Sequence, residues 1–126
     1  MINLLLVFLG GGAGSVARYL TTVAIGRGSG GSVFPWHTLG VNLIGAFIIG
    51  LLLEILALRV SGLQPARFLL VTGFLGGYTT FSAFSLESTL MIQRVDYGSL
   101  AAYIAASVGG TILAVFIGSA VARPFL

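Results

Sequence analysis

Hydrophobic positions along this chain gather into four blocks, each long enough to cross a bilayer as a helix, which takes about 20 residues. They cover about residues 2–25, 36–58, 66–93 and 99–121. A Gly/Ser-rich stretch over 27–32 and Pro35 separate the first two. Ser61-Gly62-Leu63-Gln64-Pro65 is a tight connection to the third, Asp96-Tyr97-Gly98 turns into the fourth, and Pro124 stops it. There is no internal repeat and no low-complexity segment. The pattern predicts an all-α membrane protein of four transmembrane helices, forming a single integral membrane domain over residues 1–126.

The third block carries its own interruption. Gly73-Phe74-Leu75-Gly76-Gly77-Tyr78-Thr79-Thr80 places paired glycines and hydroxyl residues where a continuous helix is otherwise expected. Each glycine lowers helix propensity by about 1 kcal/mol relative to alanine. The hydroxyls that follow can satisfy freed backbone groups locally. An unpaired N–H or C=O in hydrocarbon costs several kcal/mol, so a break at this depth survives only where it is buried in protein or lines a cavity. The sequence thus predicts a third helix broken mid-membrane near 73–80, and broken helices are where transporters and channels build ion sites.

Composition settles the solvent. Hydrophobic residues make up 57% of the chain, charged residues only 7%, and mean hydropathy is +1.10. Soluble domains run near 25% charged, so this is an integral membrane protein whose partner is the lipid bilayer. The formal charge is +3, but the basic residues are all arginines scattered singly, which makes no nucleic-acid patch. Zero cysteines exclude disulfides and thiol chemistry. The apolar run 2–8 lacks a basic n-region, so it is expected to be a retained helix and not a cleaved signal.

Charge also bears on orientation. Four crossings put Arg59, Arg67 and Arg123 on one side, and Arg27 and Arg94, with Arg18 if it reaches that interface, on the other. The positive-inside rule reads an asymmetry that is nearly absent here. Either one loop dominates weakly, or copies insert both ways and pair antiparallel. A four-helix chain has little room to enclose a pore alone, which favours an antiparallel homodimer.

The polar residues on the spans each carry two readings. Gly10 and Gly14 form a G-x-x-x-G, whose default role is close helix packing. Arg18 lies one turn further along that face, either snorkelling or attracting anions. Thr38, Asn42 and Gly45 share one face of the second span. Asn42 is either an inter-helix hydrogen-bond partner or a pore donor. His37, beside Trp36, reads as an interfacial anchor. Ser99, Tyr103, Ser107 and Thr111 recur every fourth residue as a polar stripe on the last span. Glu54 lies within reach of Arg59 or water. Glu87 is deeper and is a carrier carboxylate, a structural partner or a vestibule residue. No hydrolytic triad, phosphate loop or metal-ligand set is present, so the chain is not expected to be an enzyme.

Phe81 and Phe84 follow the break on one face. Ring edges carry positive potential, so with neutral donors from Asn42, Ser107 and Thr111 they would hold a small anion weakly enough to release it. Carbonyls freed at residues 76–79 suit instead a cation such as Na⁺.

The run Gly76-Gly77-Tyr78-Thr79-Thr80-Phe81-Ser82-Ala83-Phe84-Ser85 resembles the signature of the Fluc (CrcB-type) fluoride channels. The segments Gly10-Gly11-Gly12-Ala13-Gly14-Ser15-Val16-Ala17-Arg18-Tyr19 and Gly40-Val41-Asn42-Leu43-Ile44-Gly45 are similar to the family pattern too. The resemblance extends over the whole chain. It implies an antiparallel dual-topology homodimer with two pores that exports F⁻ passively and excludes Cl⁻. It further implies a fluoride pathway through Asn42, Phe81, Phe84, Tyr103, Ser107 and Thr111, with Thr38 on the face of Asn42. Gly76 and Thr79 match positions whose backbone carbonyls hold a structural Na⁺ at the dimer interface.

Two other classes share parts of the pattern. A small proton-coupled multidrug-type exporter has the same size and topology but places a glutamate in its first helix, where this chain has Arg18. A non-transporting assembly subunit would need only the glycine-rich packing.

Overall fold

In the computed structural model, residues 1–58 and 64–125 are described. Four helical spans appear, each long and apolar enough to cross a membrane. The first, α1, is Ile2–Gly28, and the second, α2, is Trp36–Leu58. The third is divided. Its first half, α3, runs from Gln64–Ala66 through a wide-turned π-helical stretch, Arg67–Leu75, to a last turn at Gly76–Tyr78. After two extended residues its second half, α4, is Phe81–Gln93. The last span, α5, is Tyr97–Ala122, followed by a 3₁₀ turn at Arg123–Phe125. The chain is a multi-pass membrane protein.

Helix ends follow local chemistry. The Pro35 carbonyl accepts from Leu39 N–H at 3.1 Å, so α2 begins where proline's fixed φ is tolerated. Asp96 caps α5, its Oδ1 accepting from Ser99 N–H at 3.1 Å. The Ser99 hydroxyl and N–H hold that carboxyl below its ordinary pKa. Between α4 and α5, Val95 takes φ 59°, a left-handed conformation unusual for a β-branched residue. The turn is closed by Asp96 N–H donating to Met91 O at 3.0 Å.

The spans associate as two close pairs, α1 with α3 and α2 with α5. Glycine makes both pairs possible. A Cβ on Gly10 would run into the Leu69 carbonyl oxygen, one on Gly14 into that of Phe74, and one on Gly77 into that of Gly11. In the second pair, a Cβ on Gly50 would meet the Val115 carbonyl and one on Gly118 the Phe47 carbonyl. Lipid tails give helices no hydrophobic reason to associate, so backbone-to-backbone packing of this kind must supply the attraction. The G-x-x-x-G of α1 is therefore a packing element. Gly110 packs on Leu43, whereas Gly109 has open space around it within the chain.

Burial within one chain is slight. Tyr103 and Val41 are the largest fully buried side chains, and Leu39, Met91 and Tyr103 form a small core with Phe34, Leu43 and Phe84 against it. Leu4, Phe8 and Phe116 are among the many large apolar side chains that face outward. In a bilayer these surfaces are solvated by lipid or by another protein surface.

The partner of Glu54 and the position of the break are more specific in the structure than in the sequence. Glu54 pairs with Arg123, Nε to Oε1 at 3.1 Å. Arg59, and the connection expected at 61–65 up to residue 63, lie outside the described residues. The break also sits at the C-terminal edge of its expected range. Gly73, Gly76 and Gly77 stay helical, and only Thr79 (φ −83°, ψ 159°) and Thr80 (φ −151°, ψ 120°) are extended. The reason is that Gly73 and Gly77 are needed against α1.

Candidate functional site

The break is held open by one side chain. Thr80 N–H would close the next helical turn onto the Gly76 carbonyl, but donates instead to Asn42 Oδ1 at 2.9 Å. Asn42 Nδ2 in turn donates to the Thr80 carbonyl at 3.0 Å. The amide of Asn42 thus pairs with both backbone polar groups of Thr80, as a neighbouring β-strand would. Beyond the break, Thr80 Oγ1 caps α4 by accepting from Ala83 N–H at 3.2 Å. Upstream, Thr79 N–H still donates to Leu75 O at 3.0 Å. A polar group turned out of the helix ladder in this way needs a protein partner or a cavity to face, because the hydrocarbon itself supplies none.

Thr80 lines two cavities. The larger, about 500 Å³, is lined by Asn42, Gly76, Thr79, Thr80, Phe81, Phe84, Ser107 and Thr111 with aliphatic neighbours from α2, α3 and α5. The rings of Phe81 and Phe84 lie 5.2 Å apart at 35°. Phe84 also packs on Tyr103 at 5.1 Å, which fixes its position, whereas Phe81 is 76% exposed. Ser107 Oγ is buried with no protein partner. Thr111 Oγ1 back-bonds to the Ser107 carbonyl. The wall is thus mostly apolar, with a few neutral polar atoms and two aromatic rings.

The smaller cavity, about 360 Å³, is lined by Ser15, Arg18, Tyr19 and Thr22 of α1, His37, Thr38 and Val41 of α2, and Thr80, Ala83 and Glu87 around the break. Arg18 Nη1 points at the Thr79 carbonyl at 3.5 Å. Glu87 organises the opposite wall. Its Oε1 accepts from Thr38 Oγ1 at 2.6 Å and lies 3.2 Å from His37 Nε2, and its Oε2 accepts from the Tyr103 hydroxyl at 2.6 Å.

Of the residues assigned to an anion pathway from sequence, Asn42, Phe81, Phe84, Ser107 and Thr111 come together on the larger cavity. Thr38 faces the smaller one, and Tyr103 is fully buried between Phe84 and Glu87. Thr80 was not singled out from the break, and His37, read as an interfacial anchor, lines the smaller cavity against Glu87. The extended backbone of Thr80 depends on a partner 38 residues away, which no local pattern announces.

The Asn42–Thr80 pairing yields a direct test. Asn42→Ala leaves a backbone N–H and C=O without partners at membrane depth, at a cost of about 1–3 kcal/mol each. Asn42→Asp keeps the acceptor for Thr80 N–H but loses the donor and adds a negative charge to the cavity. Both variants should lower the thermal transition of detergent-solubilised protein. A variant with wild-type stability would show that the break does not depend on Asn42.

Four spans, the third opened into extended backbone at Thr79 and Thr80 beside two cavities, define a multi-pass membrane protein with a broken helix. The comparison with known proteins is more specific. Residues 5–119 match the family described as "CrcB-like protein, Camphor Resistance (CrcB)", and the chain belongs to that family. It is 48% identical over 126 residues, all of both chains, to a protein of Chelativorans sp. (strain BNC1) called "Fluoride-specific ion channel FluC". Proteins of the same name from Agrobacterium fabrum and Rhizobium etli (strain CIAT 652) are 50% and 48% identical over 123 residues, 98% of each chain.

Proposed function

We propose that this protein is a fluoride-specific ion channel, passing F⁻ passively across the membrane and so lowering cytoplasmic fluoride. The observation that carries this reading is the convergence of Asn42, Phe81, Phe84, Ser107 and Thr111 on one cavity beside the broken helix. An anion there meets ring edges and neutral hydrogen-bond donors, with no fixed cation to trap it. Moderate binding of that kind lets an ion enter and leave. The Asn42 amide spends one N–H on Thr80 and keeps the other for the cavity. The route runs from the smaller cavity with Arg18, past Thr80, to the larger cavity and its hydroxyls.

The conducting unit is an antiparallel homodimer with two pores. Phe81, 76% exposed in one chain, lines the larger cavity, whose wall a second copy would complete. The near absence of an arginine asymmetry supports insertion in both orientations.

A structural Na⁺ belongs to this reading. The Gly76 carbonyl, relieved of the Thr80 N–H, and the Thr79 carbonyl at the break are hard oxygen donors of the kind such a cation takes. Two carbonyls are too few for such a cation, so a dimer would hold the ion between copies. When bound, it would supply positive charge that braces the two breaks against each other.

The exporter alternative finds no support. Flux from liposomes tests the proposal. Reconstituted protein should release F⁻ rapidly, with Cl⁻ release at least a hundred-fold slower. Protein dialysed for days against a large organic cation in place of Na⁺ should lose that activity. Well-folded protein that releases no F⁻ would sink the channel reading, and full activity without Na⁺ would remove the ion from it.

A further inference from the structure

The smaller cavity contains the sole histidine of the chain, and the pathway just described has no use for it. His37 is not an isolated interfacial ring. Its Nε2 lies 3.2 Å from Glu87 Oε1, and its side chain is 38% exposed, so one end touches the carboxylate while the ring remains open to protons from water.

We propose that His37 is a proton-operated charge on the wall of this vestibule, raising F⁻ entry as pH falls. The proposal rests on the channel reading.

The groups facing His37 are few. From α1 come Arg18 and Tyr19, from α4 Glu87, and from α5 Tyr103 behind Glu87. With His37 neutral, the charged side chains lining the cavity are Arg18 and Glu87, of opposite sign. Nε2–H then donates to the carboxylate and Nδ1 is the nitrogen that takes up a proton. An imidazole is the side chain that changes charge between roughly pH 5 and 8.

Protonation has two consequences. It converts the His37–Glu87 contact into an ion pair, which offsets the one negative charge an entering anion must pass. It also leaves Arg18 as an uncompensated positive charge beside the Thr79 carbonyl and the turn toward Asn42. A single added charge a few ångströms from an ion in water-like surroundings changes local occupancy by a factor of about three. That gain is screened by salt, since the Debye length falls from about 10 Å at 0.1 M to about 3 Å at 1 M.

The test is single-channel recording in planar bilayers, where electroneutral permeation of HF carries no current. F⁻ current is measured at pH 8 and pH 6, equal on both sides, with an impermeant anion setting the ionic strength. The ratio of current at pH 6 to that at pH 8 should be about three at 0.1 M and fall toward one at 1 M. In His37→Gln, which keeps a side-chain N–H near Glu87 without a titratable ring, the ratio should be about one at both salt concentrations. If that variant yields no channels, His37→Asn and the salt dependence of the native protein carry the same reading. A pH-flat native current, or an unchanged ratio in the glutamine variant, overturns the role of His37 while leaving the channel intact. Absence of F⁻ current at every pH overturns the channel reading, and this inference with it.

Discussion

Replacing Phe81 and Phe84 together by isoleucine should reduce F⁻ current at least a hundred-fold while leaving the protein folded and assembled. The expectation comes from what isoleucine keeps and what it loses. Side-chain bulk and apolar character are nearly preserved, and substitutions of this kind are tolerated at modest cost. Phe81 is largely exposed in the single chain, so its loss removes little internal packing. Phe84 gives up its contacts with Tyr103 and Phe81, at 5.1 and 5.2 Å, worth about 0.5–1.5 kcal/mol each beyond area burial. What disappears altogether is the ring quadrupole, whose positive edge is the only feature of these side chains an anion can use. Without it, F⁻ faces an aliphatic constriction and its dehydration is uncompensated. Flux and size-exclusion profiles should be read on the same preparation. Wild-type flux in the double variant would reduce both rings to packing.

Gly14→Ala should prevent recovery of folded protein, whereas Gly12→Ala, two residues away, should be tolerated. A Cβ on Gly14 would sit on the Phe74 carbonyl oxygen with the Tyr78 N–H region close behind, all of it backbone that has no side-chain rotamer to move. Relief requires α1 and α3 to separate along their contact, which also pulls Gly10 from Leu69 and Gly77 from Gly11. Overpacking costs about 1–3 kcal/mol in ordinary cores. A clash with backbone, in a contact that depends on close approach, belongs at or beyond the upper end. A Cβ on Gly12 meets nothing within 4 Å, and alanine is the better helix former there. Yield and thermal transition in detergent compare the two. Equal stability of both variants would mean that α1 and α3 do not pack as described.

These two predictions mark different depths of legibility. The four spans were readable because a bilayer imposes a length and an apolar composition on every crossing. The sequence boundaries agree with the helices to within a few residues, with α1 reaching Gly28 and α5 starting at Tyr97 directly after its Asp96 cap. The glycine spacing of α1 was readable as packing for the same reason, since small residues four apart share a helix face. The break was readable in existence and to within residues 73–80, but not to the residue. Helix propensity pointed to the glycines, yet the residues that leave the helix are two threonines.

Propensity is a local quantity, and membrane packing overrode it. Gly73 and Gly77 have more to contribute as contact surface for α1 than as breakpoints. Thr80 became the breakpoint because Asn42, on another span, offers an amide that matches both of its backbone groups. Glu87 shows the same division. Its presence at depth demanded partners, but the identity of those partners, Thr38, Tyr103 and His37, is fixed by three elements meeting in space.

The sequence by itself determined that this chain lives in a membrane, crosses it four times, interrupts its third crossing and carries neutral donors and aromatic rings beside the interruption. Those properties follow from residue type and spacing, to which the bilayer responds directly. Only the tertiary structure decided which residues leave the helix, that Thr38 and Tyr103 serve Glu87, and that Thr80 stands in the walls of two cavities. Such choices are made between side chains on different helices, where hydrogen bonds must be matched pair by pair because water is not there to substitute.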